Sequence, residues 1–186
     1  MSAAACGRDN QPMKILHLFV VLAALAILAG CSARSSEGSS SSGRPIKATV
    51  AYVVDGDTLR IRLASEELEY VRLVGIDTPE EGPPTECGAD GASSSLQLLA
   101  PEGATVMLRP DFVADARDRY GRILAHAFIG GRQLEVAQLR RGWAEVYRFE
   151  GQRFDGLARF DRAESAARRA DRGVWSECGG DFHSDR

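Results

Sequence analysis

Asp57, Asp77 and Glu80 fall at or beside the ends of apolar runs, where chain reversals tend to carry function. Hard cations such as calcium take several oxygen ligands, mixing carboxylates, backbone carbonyls and water, and acids so placed can supply them. Taken singly, each has a plainer reading: Asp57 as a turn residue in Asp55-Gly56-Asp57, and Glu80 as a solvated loop acid. Arg72 is harder to dismiss. Period-two alternation places it on one strand face with Tyr70, Val74 and Ile76. An arginine in such a stripe is costly unless it is paired or faces a pocket, and snorkelling to a rim is the bland alternative. A phosphate contact explains it better, because the guanidinium fork matches phosphate oxygens two at a time. Arg122 opens an apolar run just after Tyr120-Gly121; alone, it reads equally well as a surface arginine.

The elements that position these residues follow from patterning. The β-branched run Ala48 to Val54 predicts a first strand, and Asp55-Gly56-Asp57 a tight turn with Gly56 at positive φ. Leu59, Ile61 and Leu63 alternate with Arg60 and Arg62, which predicts a half-buried second strand. Leu68 to Ile76 reads as the third, leading into a loop at Asp77-Thr78-Pro79. A short helix is expected over Ala92 to Ala100, and strands over Thr105 to Leu108 and Ile123 to Ile129. Helices are expected over Leu134 to Arg141, closed by Gly142, and Leu157 to Arg172, closed by Gly173. That order suggests a small barrel flanked by helices.

Three segments then match a known pattern. Val54-Asp55-Gly56-Asp57-Thr58, the run from Val71 to Glu80, and Asp118-Arg119-Tyr120-Gly121-Arg122 resemble, in order, the active-site motifs of the staphylococcal nuclease family. Gly142 to Tyr147 and Arg172-Gly173-Val174-Trp175 fit the same family, so the resemblance runs from about Ile46 to Cys178. It implies an α+β fold: a five-stranded OB-fold β-barrel with three flanking helices. It implies calcium-dependent hydrolysis of phosphodiester bonds in DNA and RNA, giving 3′-phosphate products. Asp57, Asp77 and the Thr78 carbonyl would be calcium ligands. Glu80 would be the base that activates or orients water, and Arg72 and Arg122 the catalytic cations. Tyr120, Arg119 and Tyr147 would meet the substrate, although Arg148 and Phe149 stand where the family usually offers further tyrosines.

The rest of the chain bounds this reading. The net charge is −3, unlike the basic balance usual for nucleic-acid binders, so function must rest on local constellations. Outside the N-terminal leader only His126 and His183 occur, which leaves histidine-metal and paired-histidine mechanisms without parts. His126 reads as a packed or surface histidine. No Gly-rich phosphate loop or clustered CxxC is present. Residues 1–30 read as a signal peptide, with Met13 as an alternative start, and Leu28-Ala29-Gly30-Cys31 resembles a lipobox with Cys31 as the lipidated residue. The segment 31–44 then serves as a Ser/Gly-rich tether, 45–178 as the nuclease domain and 179–186 as a tail. This predicts an exported protein, anchored to a membrane through Cys31 or secreted, and monomeric. Cys87 and Cys178 are the cysteines left in the mature domain and are expected to pair; two buried free thiols are the alternative. A binding module that has lost catalysis and a structural envelope lipoprotein are the rival classes. Retention of Arg72, Glu80 and Arg122 weighs against the first, and only the acidic balance supports the second.

Overall fold

The computed structural model describes residues 43–111 and 114–184. The expected signal peptide, Cys31 and nearly all of the tether lie outside the described residues. The strands are β1 (Ile46–Val53), β2 (Thr58–Leu63), β3 (Leu68–Leu73), β4 (Ile76–Asp77), β5 (Thr105–Arg109), β6 (Ile123–Ile129), β7 (Arg132–Gln133) and β8 (Glu145–Val146). The helices are α1 (Ala89–Leu99), α2 (Leu134–Arg141), α3 (Leu157–Arg169) and α4 (Val174–Glu177), with a single 3-10 turn at Phe149–Gly151.

The main sheet runs β3-β2-β1-β5-β6-β7, and a parallel pairing of β3 with β6 closes it. Its five long strands form the barrel expected of an OB fold. A register shift between Val50 and Tyr52 marks a bulge in β1, which bends and twists that strand. Alternation sets the interior: Ala48, Val50, Leu59, Ile61, Val71, Leu73, Val106, Leu108, Ala125 and Ala127 all point into one core. α1 and α2 cover one end with Leu96, Leu134 and Leu139, and α3 adds Phe160 and Ala163. The helical set therefore contains one short element, α4, beyond the three expected.

The third strand differs from expectation in a way that changes the reading of Arg72. β3 stops at Leu73, because Gly75 has φ 82. A Cβ there would lie 2.6 Å from the Phe154 ring, so only glycine allows both the turn and the packing. Ile76 and Asp77 then pair with Val146 and Glu145 as a separate ribbon. The core face of β3 is Val71 and Leu73, and Arg72 stands on the opposite face with the exposed Tyr70. Arg72 is not lodged in an apolar stripe, and its partial burial has another cause.

Under β6 lies a buried polar trio. His126 is 6% exposed; its Nδ1 is 3.2 Å from Glu135 Oε1, and its Nε2 is 3.1 Å from Asp111 Oδ2. Burial opposes charge on the imidazole, but the two carboxylates outweigh it and raise the pKa above its ordinary 6.5. A folded-state pKa raised above the unfolded one contributes stability that is fully present below the unfolded value and lost as pH rises through the folded value. The urea midpoint should therefore fall as pH climbs from the ordinary imidazole range through that raised value. His126→Gln should flatten this slope; an unchanged slope in the variant would contradict it.

Candidate active site

Four residues from two segments, the β1–β2 turn and the β3–β4 turn, meet around one guanidinium. Arg72 Nη1 lies 2.7 Å from Asp57 Oδ2, and Nη2 lies 2.7 Å from Asp77 Oδ1. Nη1 also donates to the carbonyls of Leu73 at 3.0 Å and Ile76 at 2.9 Å. The β3–β4 turn thus wraps the arginine from its own strand, and the two acids hold its fork from either side. Asp57 is 1% exposed. It accepts from Thr58 Oγ1 at 3.0 Å and from Thr78 Oγ1 at 3.2 Å. Burial raises the Asp57 pKa well above the usual carboxylate value, and Asp55, Asp77 and Glu80 add to the rise while Arg72 opposes it.

Gly56 allows this convergence by its small size, not by a special dihedral. It is absent from the glycines with positive φ, contrary to expectation. A Cβ on it would lie 2.6 Å from Thr78 Oγ1 and 2.7 Å from Ala92 Cβ. Its carbonyl accepts from Gln138 Nε2 at 2.8 Å, the same nitrogen that donates to the Ala92 carbonyl at 2.9 Å. Gln138 is fully buried and also accepts from Ser95 Oγ at 2.6 Å, so α1 and α2 lock the turn that carries Asp57.

Glu80 sits on the rim and is exposed, yet burial by the surrounding loop raises its carboxyl pKa, with Asp55, Asp77 and Glu86 adding and Arg72 opposing. Its main chain is held in a reciprocal pair: the Glu80 N–H donates to Glu86 Oε2 at 2.7 Å, and the Glu86 N–H to the Glu80 carbonyl at 3.0 Å. The C-terminal tail backs this loop. Cys87 and Cys178 form a disulfide with Cα atoms 5.9 Å apart, as expected from the cysteine count. The Cys87 N–H donates to the Ser184 carbonyl at 2.7 Å. His183 lies between Glu86, 3.4 Å from Nδ1, and Glu145, 3.2 Å from Nε2. It ties the Glu80 loop to β8, whose partner strand carries Asp77.

Arg122 stands immediately before a neighbouring strand, β6. β3 and β6 pair with Val71 opposite Ile123 and Arg72 opposite Leu124, which brings Arg122 to the same end of the barrel as Arg72. Asp118 orients it, accepting from Arg122 Nε at 2.7 Å and from the Arg122 N–H at 2.9 Å. Burial alone would raise the Asp118 pKa, but these bonds hold it below the usual range. Tyr120 is 69% exposed, with the Arg122 guanidinium 5.6 Å and the Arg119 guanidinium 4.8 Å from its ring centroid. Tyr147 is half exposed, and its N–H donates to the Gly75 carbonyl at 3.1 Å, which sets it beside the Asp77 ribbon. Arg122 makes no hydrogen bond to the Asp57–Arg72–Asp77 group among the described residues.

Comparison with known proteins decides the family. The model of the staphylococcal nuclease homologues matches residues 70–177, more than half of the chain. The chain belongs to the staphylococcal nuclease family. The SPbeta prophage-derived endonuclease YokF of Bacillus subtilis (strain 168) is 28% identical over 138 residues, covering 72% of this chain and 45% of that protein. Endonuclease YncB of the same strain is 27% identical over 138 residues, covering 72% and 64%. The thermonuclease of Staphylococcus intermedius is 29% identical over 97 residues, covering 52% and 57%. The alignments thus span about half to two thirds of each relative's length.

In this staphylococcal nuclease-family site, the donor chemistry fits a hard cation. Among the described residues, no three His, Cys, Asp or Glu side chains are arranged to hold a metal by themselves. Two carboxylates, a carbonyl and water would suffice for calcium. Asp57 and Asp77 converge on one guanidinium, and burial together with neighbouring acids raises the proton affinity of Asp57 and of Glu80, so the cluster is short of positive charge. Sequence reasoning missed the residues that hold the site together. Gln138 was legible only as a polar residue four positions after Leu134 on the buried face of a helix; Asp118 appeared only as the first residue of the third motif, without a role, and Glu86 and His183 carried no local signal.

Proposed function

We propose that this domain is an exported, calcium-dependent nuclease that hydrolyses phosphodiester bonds of DNA and RNA and leaves 3′-phosphates. The observation that carries this reading is the Arg72 fork held between Asp57 and Asp77 beside Glu80, whose carboxyl has a raised proton affinity. Calcium, held by Asp57, Asp77 and the Thr78 carbonyl, would supply positive charge next to the phosphate when bound. Glu80 takes the proton of the attacking water as its oxygen bonds to phosphorus. The bond from phosphorus to the 5′-oxygen breaks, and that oxygen takes up a proton from solvent. Arg72 and Arg122 face the growing negative charge on the phosphoryl oxygens with preorganised N–H donors. The disulfide supports export, since such bonds persist in oxidising compartments.

The test is incubation of the purified protein with single-stranded DNA, with calcium and then with a chelator. Cleavage that the chelator abolishes is expected. Cleavage that survives the chelator would refute calcium dependence, and none in either condition would refute the nuclease reading. Asp57→Asn keeps an oxygen toward the cation but removes a charge, so calcium titration by calorimetry should weaken at least about tenfold. Excess calcium should restore part of the rate.

A further inference from the structure

The outer face of the barrel carries a row of residues of which the proposed reaction uses only the last. Tyr52 on β1 pairs with Arg60 on β2, and Arg60 pairs with Tyr70 on β3. One residue before the paired Val71 and Ile123, Tyr70 and Arg122 continue the same row onto the edge of β6. The row therefore reads Tyr, Arg, Tyr, Arg across four strands, and it ends on an arginine of the candidate active site. Tyr70 is also two residues from Arg72 on the same face of β3, about 7 Å along the strand.

These side chains are presented outward. Tyr52 is 49% and Tyr70 41% exposed, although the neighbouring Leu59, Ile61 and Val71 are completely buried. The Arg60 guanidinium lies 3.8 Å from the Tyr70 ring centroid and makes no ion pair among the described residues. Arg60 is paired with Tyr52 on one neighbouring strand and with Tyr70 on the other, so two tyrosines flank the arginine. Tyr120 extends the aromatic surface beyond Arg122. The acids nearest this end are already engaged: Asp118 with Arg122 and Glu69 with Arg117.

We propose that this tyrosine–arginine row is the track for the single strand of nucleic acid leading away from the scissile phosphate. Bases stack on Tyr52 and Tyr70, and Arg60 meets the backbone phosphate between them. The occupant follows from charge, from aromatic side chains exposed at the surface, and from continuity with the site. A polyanion with unstacked bases satisfies all three, and exposed aromatics interleaved with cations on an OB-type barrel suit it. A duplex keeps its bases stacked on one another and offers the rings nothing. The proposal rests on the nuclease reading for where the track leads, but not for whether a strand binds it.

The test uses the whole protein and a 12-nucleotide single strand. Fluorescence anisotropy in chelator should show that Tyr52→Ala with Tyr70→Ala weakens binding about thirtyfold or more, the loss expected for two stacked bases. Arg60→Ala should lower the slope of log affinity against log salt by about 0.7. In cleavage assays the double variant should raise KM for the 12-nucleotide strand more than for a dinucleotide. Unchanged binding and salt slope in folded variants would overturn the track, whether or not the protein cleaves. A wild-type protein that binds through these residues but never cleaves would overturn only the nuclease reading.

Discussion

Glu80→Gln and Arg122→Ala should each come close to abolishing cleavage while leaving the fold intact. Glu80→Gln keeps the length of the side chain and the main-chain bonds that Glu80 exchanges with Glu86. What it loses is the proposed acceptor for the proton of water, and such base catalysis contributes about 10²–10⁴-fold. Arg122→Ala removes a preorganised donor, which typically costs about 10²–10³-fold in kcat. The structure adds a second penalty there. Asp118 keeps its low pKa chiefly through its bonds to Arg122, so the variant leaves that carboxylate without its counter-cation beside the phosphate. Arg122→Ala should accordingly be worse than the joint variant with Asp118→Asn, an ordering that simple loss of a cation does not give. Glu80→Gln with Arg122→Ala should cost less than the product of the single effects, because both act on one transition state. Initial rates on single-stranded DNA, with circular dichroism to verify folding, decide the matter. Folded single variants that cut at wild-type rates would remove both residues from the mechanism.

Much of this was legible because local chemistry and tertiary demand agree. β6 and α2 have the bounds that their patterns predict, and Gly142 caps α2 at φ 81. Where they diverge, a tertiary contact dominates. The Arg72 stripe looked apolar because Val74 and Ile76 continue its alternation, but Gly75 turns the chain and ends the strand before that alternation applies. Gly56 looked like a dihedral requirement and is a packing requirement. α3 stops at Arg169, three residues short of expectation, and Asp171 at φ 52 lies in the left-handed region before Gly173 starts α4. β4, β7 and β8 have two residues each, too few for any period to show. The motifs could reveal the residues that assemble at the candidate site. They could not reveal Gln138, Glu86 or His183, whose partners lie far along the chain.

Removing the disulfide should produce the largest loss of stability of any change considered. Cys87 and Cys178 close a loop with a sequence separation of 91, which encloses most of the domain. The chain-entropy model gives about 4–5 kcal/mol for such a loop, and native bridges typically deliver about 2–4. At roughly 2–4 °C per kcal/mol for a chain of this size, Cys87→Ser with Cys178→Ser should lower Tm by about 5–15 °C. The local consequence is separate. The bridge pins α4 and the tail against the loop that carries Glu80, beside the Cys87–Ser184 main-chain bond and the His183 contacts with Glu86 and Glu145. Phe182, 2% exposed against Trp175 at a ring distance of 5.1 Å, is a second, weaker anchor for the same tail. Without the bridge the tail depends on that anchor and on these non-covalent contacts, so hydrogen exchange should rise first in residues 80–88 and 179–184. The barrel strands should be affected less. Calorimetry and exchange on the serine pair measure both effects. A Tm within about 2 °C of wild type would show that the bridge constrains a loop already closed in the unfolded chain. Uniform exchange would show that it stabilises the domain without holding the Glu80 loop in particular.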